Sequence, residues 1–150
     1  MMHPFKRICQ RLRALCPPPA PLRSEGKAAL GRYGEACAAN RLVQNGYLIL
    51  HRNARFGGHE VDIVAQKGNC LVFCEVKTRT LTEDDERIYG RPAEAVNERQ
   101  RCHLRTAAKC YLHSAPQGLA PRFDVMEVYL DPKAERAAVL KIVHLQDAFR

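Results

Sequence analysis

The chain has 150 residues, 46% of them hydrophobic, with a formal net charge of +8 and a pI near 9.3. That length suits one domain, able to bury roughly two-thirds of its unfolded surface. The positive balance favours polyanionic partners and is silent about fold. No apolar run approaches the ~18 residues that a membrane span needs, so no membrane partner is expected. Seven cysteines without a C-x-x-C pair read as buried thiols in a reducing cytoplasm rather than as zinc ligands or disulfides.

Residues 1–25 form a basic, Pro-rich segment expected to be disordered, and residues 26–150 form the domain. Met1–Leu15 carries Lys6, Arg7, Arg11 and Arg13 with no acidic residue and lacks the apolar core of a secretory signal. It leads into Cys16-Pro-Pro-Pro-Ala-Pro21, and no function is assigned to it. From Lys27 the pattern turns helical and runs to Asn45, with Gly46 as the stop. Glu35 shares a helix face with Gly31, Ala38, Ala39 and Leu42. A carboxylate on that small, mostly apolar face would point inward, where a metal site could use it.

Tyr47–Arg52 reads as a first strand, followed by a polar turn through Arg55 and Gly57-Gly58. Two further strands, Glu60–Ala65 and Cys70–Lys77, form a hairpin. Period-2 alternation sets Cys70, Val72, Cys74 and Val76 on one face and Leu71, Phe73, Glu75 and Lys77 on the other. Glu60 and Asp62 share a face with Val64. Charges at such places are costly unless paired or bound to a metal. Mg²⁺ takes one or two carboxylates and keeps several waters, and a nearby lysine can steady charge developing on a phosphate. Asp62 with Glu75-x-Lys77 supplies these parts. An exposed hairpin in which Glu75 and Lys77 merely pair fits the same spacing. His59, beside Glu60 and Asp62, is a further group that could stand near a phosphate.

Thr78–Gly90 reads as a polar loop with a solvated acidic run, Glu83-Asp-Asp-Glu86. Pro92 opens a second helix to about His113, with Val96, Gln100, Leu104, Ala108 and Tyr111 down one side. Strands near Phe123–Leu130 and Ala138–His144 complete the sheet. Asp124 is expected to make a structural bond to Arg122 or to backbone. Arg52, Arg55, Arg79, Arg91, Arg99, Arg101 and Arg105 outnumber the acids around the proposed cleft and suit phosphate. The three between 99 and 105 fit the solvated face of their helix equally well.

Several segments together resemble the bacterial YraN-like family, related to the PD-(D/E)xK nucleases. They are Gly31-Arg-Tyr-Gly-Glu35-Ala-Cys-Ala-Ala, Gly46-Tyr-Leu-Ile-Leu-His-Arg-Asn53-Ala-Arg55, His59-Glu60-Val-Asp62-Ile-Val and Leu71-Val-Phe-Cys-Glu75-Val-Lys77-Thr-Arg79. Arg91-Pro-Ala-Glu-Ala-Val96 and Arg122-Phe-Asp124-Val follow in order, so the resemblance covers roughly two-thirds of the chain. It implies a fold similar to archaeal Holliday-junction resolvases, with Asp62, Glu75 and Lys77 at active-site positions and Glu35 supplied by the first helix. Many relatives carry a lysine where this chain has Gln100.

The expectation is therefore an α/β, restriction-endonuclease-like three-layer domain, its central mixed sheet flanked by helices. The expected activity is metal-dependent endonucleolytic hydrolysis of nucleic acid, with DNA favoured and branched or structured forms in scope. Asp62 and Glu75 would bind Mg²⁺ or Mn²⁺, Glu35 and Lys77 would assist, and Arg52, Arg55, Arg79 and Gln100 would contact nucleic acid. A homodimer is compatible with this reading. The rivals are a nucleic-acid-binding module of the same fold without turnover and a protein-interaction adaptor with a basic surface.

Overall fold

The computed structural model describes residues 17–81 and 96–150. The basic segment 1–16, the acidic run Glu83–Glu86, Arg91 and the expected helix start at Pro92 lie outside the described residues. Helix α1 spans Lys27–Gln44 and α2 spans Glu98–Ser114. The strands are β1 Leu48–Phe56, β2 His59–Lys67, β3 Cys70–Thr80, β4 Ala120–Leu130 and β5 Val139–Phe149. They form one five-stranded mixed sheet in the order β1-β2-β3-β4-β5. Only β3 and β4 run parallel, and α2 lies in the connection between them, as a parallel crossover requires.

The two-residue turn Gly57-Gly58 joins β1 to β2 with positive φ at both positions, 58° and 82°. A tight hairpin turn matched to strand twist needs that geometry, and glycine supplies it without a Cβ clash. Strand β3 has the long apolar run because both its faces are covered. Val72, Cys74 and Val76 pack with Ala38, Ala39 and Leu42 of α1. Leu71 and Phe73 pack with Leu104, Ala107 and Ala108 of α2. The alternation read from the sequence thus divides β3 between two cores, and helices cover opposite faces of the sheet. Edge strand β1 carries His51, Arg52, Asn53 and Arg55 in exposed positions, and such charges also guard an open edge against pairing with other chains.

Several boundaries differ from expectation. Strand β1 continues through Arg55 to Phe56, because its partner β2 begins at His59 and pairs it to the tip. Strand β3 continues past Lys77 to Thr80, since β4 offers a ladder as far as Leu130. Strand β5 reaches Phe149 rather than ending at His144. Among the five cysteines described, only Cys74 is buried; Cys37 and Cys70 are partly exposed, and Cys102 and Cys110 are exposed on α2. Burial therefore does not account for the cysteines as a group.

The stretch just before α1 is also tied down. Pro21 C=O accepts from Ala137 N–H at 2.8 Å, and Leu22 bridges Arg136. The Arg23 guanidinium donates to Asp131 C=O at 2.6 Å and to Thr80 Oγ1 at 3.2 Å. Order in the described chain thus begins ahead of residue 26.

Candidate active site

The regular pairing of β2 with β3 runs from Lys67↔Cys70 to Ile63↔Cys74. Just beyond it, Asp62 Oδ2 accepts the Val76 backbone N–H at 2.7 Å. A side-chain carboxylate thus takes an amide of the neighbouring strand. Val61 and Val64, three residues apart, both pack in the α2-side core, so strict alternation lapses at this point. Asp62 and Glu60 nonetheless line, with Glu75, a hollow of about 230 Å³ closed on the helix side by Gln100, His103 and Leu104.

Lys77 Nζ lies 2.9 Å from Glu75 Oε1, with side-chain exposures of 23% and 17%. This is the ion pair that the spacing allowed, but partly buried at the sheet rather than on an open hairpin. The Asp62 carboxyl is pushed up to about 7, chiefly by burial and then by the negative charge of Glu75; Glu35 adds to the rise, while the Val76 hydrogen bond and Lys77 oppose it. Fully buried Cys74, between Asp62 and Glu75 on one side and Asp124 on the other, has its thiol held well above the ordinary range by burial first and by those three carboxylates next. The carboxylates at these strand ends therefore repel one another in the absence of a cation.

Glu35 comes from the opposite face of the sheet. Gly34, beside it, packs so closely on β3 that a Cβ there would overlap Thr78 Oγ1. The glycine lets α1 approach the strand and brings Glu35 within electrostatic reach of Asp62. Glu35 does not line the Asp62–Glu75 hollow. It borders two others on the α1 side, one of about 370 Å³ with Val76, Thr78 and Arg79, and one of about 490 Å³ with Arg52 and Asn53.

Of the nucleic-acid contacts expected from the sequence, Arg52, Arg79 and Gln100 line three different hollows and Arg55 lines none of them. Arg52 and Arg55 are exposed on β1, Arg55 opposite Glu60 across the ladder. Exposed Arg79 has Nε 3.7 Å from Glu127 Oε1. Gln100 faces the hollow but is also engaged locally: its Oε1 accepts from Asn97 N–H, and its own N–H donates to Asn97 Oδ1 at 2.9 Å. This capping box starts α2, a role that the apolar-stripe reading did not anticipate. Arg101 and Arg105 lie over the Phe149 ring at 5.5 and 5.8 Å, and Arg105 Nε donates to Arg150 C=O at 2.7 Å. They fasten the end of β5 to α2.

Asp124 is fully buried. Its oxygens take Arg122 Nε and Nη2 at 2.8 and 2.7 Å, His144 Nε2 at 2.7 Å, and the Asp147 N–H at 3.0 Å. Burial alone would raise its carboxyl, but these bonds outweigh burial and hold it below the usual value. The expected bonds to Arg122 and to backbone are both present. His144 was not foreseen, and neither was His103 in the hollow, 41 positions along the chain from Asp62; no spacing in the sequence marks either.

Among the described residues no three or more His, Cys, Asp and Glu side chains are gathered as a ready metal site. The donor chemistry, two mutually repelling carboxylates in a small hollow, fits a hard cation that keeps most of its waters and does not fit a closed zinc site. No helix among the described residues is long and apolar enough to cross a membrane.

A model of the "uncharacterised protein family UPF0102" matches residues 34–128. The chain is similar to a UPF0102 protein of Moorella thermoacetica, 44% identical over 116 residues, or 75% of this chain and 90% of that protein. A UPF0102 protein of Caldicellulosiruptor saccharolyticus is 40% identical over 124 residues, 82% and 98% of the two chains. One of Chloroherpeton thalassium is 39% identical over 126 residues, 81% and 94%. These names state no activity. The matched span contains Glu35, Asp62, Glu75, Lys77 and Asp124.

Proposed function

This chain belongs to the uncharacterised protein family UPF0102, and from that premise we propose that it is a metal-dependent endonuclease with a restriction-endonuclease-like fold. The observation that carries the proposal is the meeting of Asp62 and Glu75 in one hollow, with Lys77 against Glu75 and an Asp62 carboxyl raised to about 7. A perturbed carboxylate in a cleft beside a specific charge partner is a mark of functional sites. Asp62 and Glu75 would hold Mg²⁺ or Mn²⁺. When bound, such a cation polarises a phosphoryl group and lowers the pKa of a water. Lys77 steadies the phosphate once Glu75 releases it, and Glu35, across the sheet, acts on the site through its charge on Asp62. Arg52, Arg55 and Arg79 draw in the polyanion without reading its sequence. DNA is the favoured substrate.

Two observations favour a second reading, a nucleic-acid-binding module without turnover: Lys77 is engaged by Glu75, and Gln100 by the helix cap. The experiment that decides is incubation of labelled duplex, flap, four-way-junction and single-stranded substrates with Mn²⁺ or EDTA. Cleavage in Mn²⁺, absent in Glu75→Gln and lowered on the order of a hundredfold in Lys77→Ala, supports the nuclease. Metal-independent binding without cleavage supports the module. Neither binding nor cleavage leaves the protein-interaction adaptor.

A further inference from the structure

The hollow that holds Asp62 and Glu75 has a titratable group on its helix wall. His103 of α2 lines it together with Gln100 and Leu104, facing Glu60, Asp62 and Glu75 from the sheet. Its ring lies on that of His59 at the start of β2, centroids 4.2 Å apart and planes 19° from parallel. Both imidazoles are partly exposed, and among the described residues neither hydrogen-bonds another side chain. The stack sets the two ring planes together, and among the described residues no hydrogen bond engages the ring nitrogens. On its own helix the nearest charged side chain in register is Arg99, four residues earlier. His103 is thus held in place at the reaction cleft without being consumed by a structural bond.

Building on the nuclease reading, we propose that His103 is the proton donor to the leaving sugar oxygen, and that His59 is a positioning residue for it. With Asp62 and Glu75 assigned to the cation and Lys77 to the phosphate, the leaving sugar oxygen still needs a proton, and His103 faces the hollow from the helix wall. In the step, an oxygen–phosphorus bond forms to the attacking water and the phosphorus–oxygen bond to the sugar breaks. The departing oxygen keeps the bonding electron pair and takes a proton from the His103 imidazolium. The proton lost by the water passes to solvent, and His103 is reprotonated from solvent. General acid catalysis of this kind is worth on the order of a hundredfold or more.

The test uses the full chain in Mn²⁺ on two oligonucleotides: a normal phosphodiester, and one whose leaving oxygen is replaced by sulfur, which departs as a thiolate and needs no proton. His103→Gln should lose on the order of a hundredfold on the oxygen substrate and only a few-fold on the sulfur one. His103→Ala should behave alike and regain rate on the oxygen substrate when imidazole is added. His59→Phe, which keeps a stacking ring, should stay near wild type, whereas His59→Ala should fall between. Equal losses on both substrates, or no loss on either, would overturn the role of His103 while the nuclease reading stands. If wild type cleaves neither substrate, the nuclease reading fails and this proposal fails with it.

Discussion

Replacing Asp62 by asparagine removes a charge that burial and Glu75 disfavour while keeping an oxygen for the Val76 N–H. The carboxyl rises from 3.8 to about 7 on folding. At 1.36 kcal/mol per unit, a rise of that size caps the cost of the ionised form at about 4 kcal/mol. Solvent relaxation around a partly exposed side chain reduces the realised effect to about 1–2 kcal/mol. The sign follows from linkage: because the folded pKa is raised, the contribution of Asp62 is fully present below pH 3.8 and is lost as pH rises through about 7. Asp62→Asn in EDTA at pH 8 should therefore melt about 3–6 °C above wild type. The difference should shrink towards zero by pH 4. Adding Mn²⁺ should stabilise wild type and not the variant. Thermal melts across pH, with and without metal, measure all three. A variant less stable than wild type at pH 8, or a gap unchanged between pH 8 and pH 4, would refute the reasoning.

Gly34→Ala should destabilise by about 1–3 kcal/mol, the usual cost of overpacking, since its Cβ would overlap Thr78 Oγ1; Thr78→Ala in the same chain should recover part of the lost melting temperature, the two Cβ atoms remaining close. Asp124→Asn should cost about 3–5 kcal/mol by leaving Arg122 and His144 without their anion. Because the Asp124 carboxyl is held low, its contribution is present above the unfolded pKa and lost as pH falls through the folded one, so the deficit seen by denaturant titration should narrow in acid. A chain beginning at Ser24 should melt several degrees below one beginning at Pro17, having lost the Pro21, Leu22 and Arg23 contacts to 131–137.

Much of the frame was legible because it follows from local rules. Helix α1 begins at Lys27 and stops before Gly46 as its pattern requires, and β3 divides Val72, Cys74 and Val76 from Leu71 and Phe73 as alternation demands. Asp124 found Arg122 because the two are same-face neighbours on one strand. Strand ends were misjudged where a partner decides them: nothing in Thr78-Arg-Thr80 announces that β4 carries the ladder on to Leu130. Arg101 and Arg105 fitted phosphate and a solvated helix face equally well, and their stacking on Phe149 was not legible, since a ring from β5 reaches their helix only after folding.

By itself the sequence determined the residue types of the site and their strands, because charged groups inside an apolar, alternating run stand out against a strong periodic background. Family membership followed from the order of those segments. Only the tertiary structure decided which groups meet. Asp62 takes a β3 amide and faces Glu75, Glu35 stays on the other side of the sheet, and His103 joins the hollow from a helix 41 residues away. The physical reason is that periodicity constrains neighbours three or four residues apart, whereas the separation of two charges on different elements is set by how closely helix and sheet pack. For Glu35 that distance is kept short by a missing methyl group, at Gly34 against Thr78.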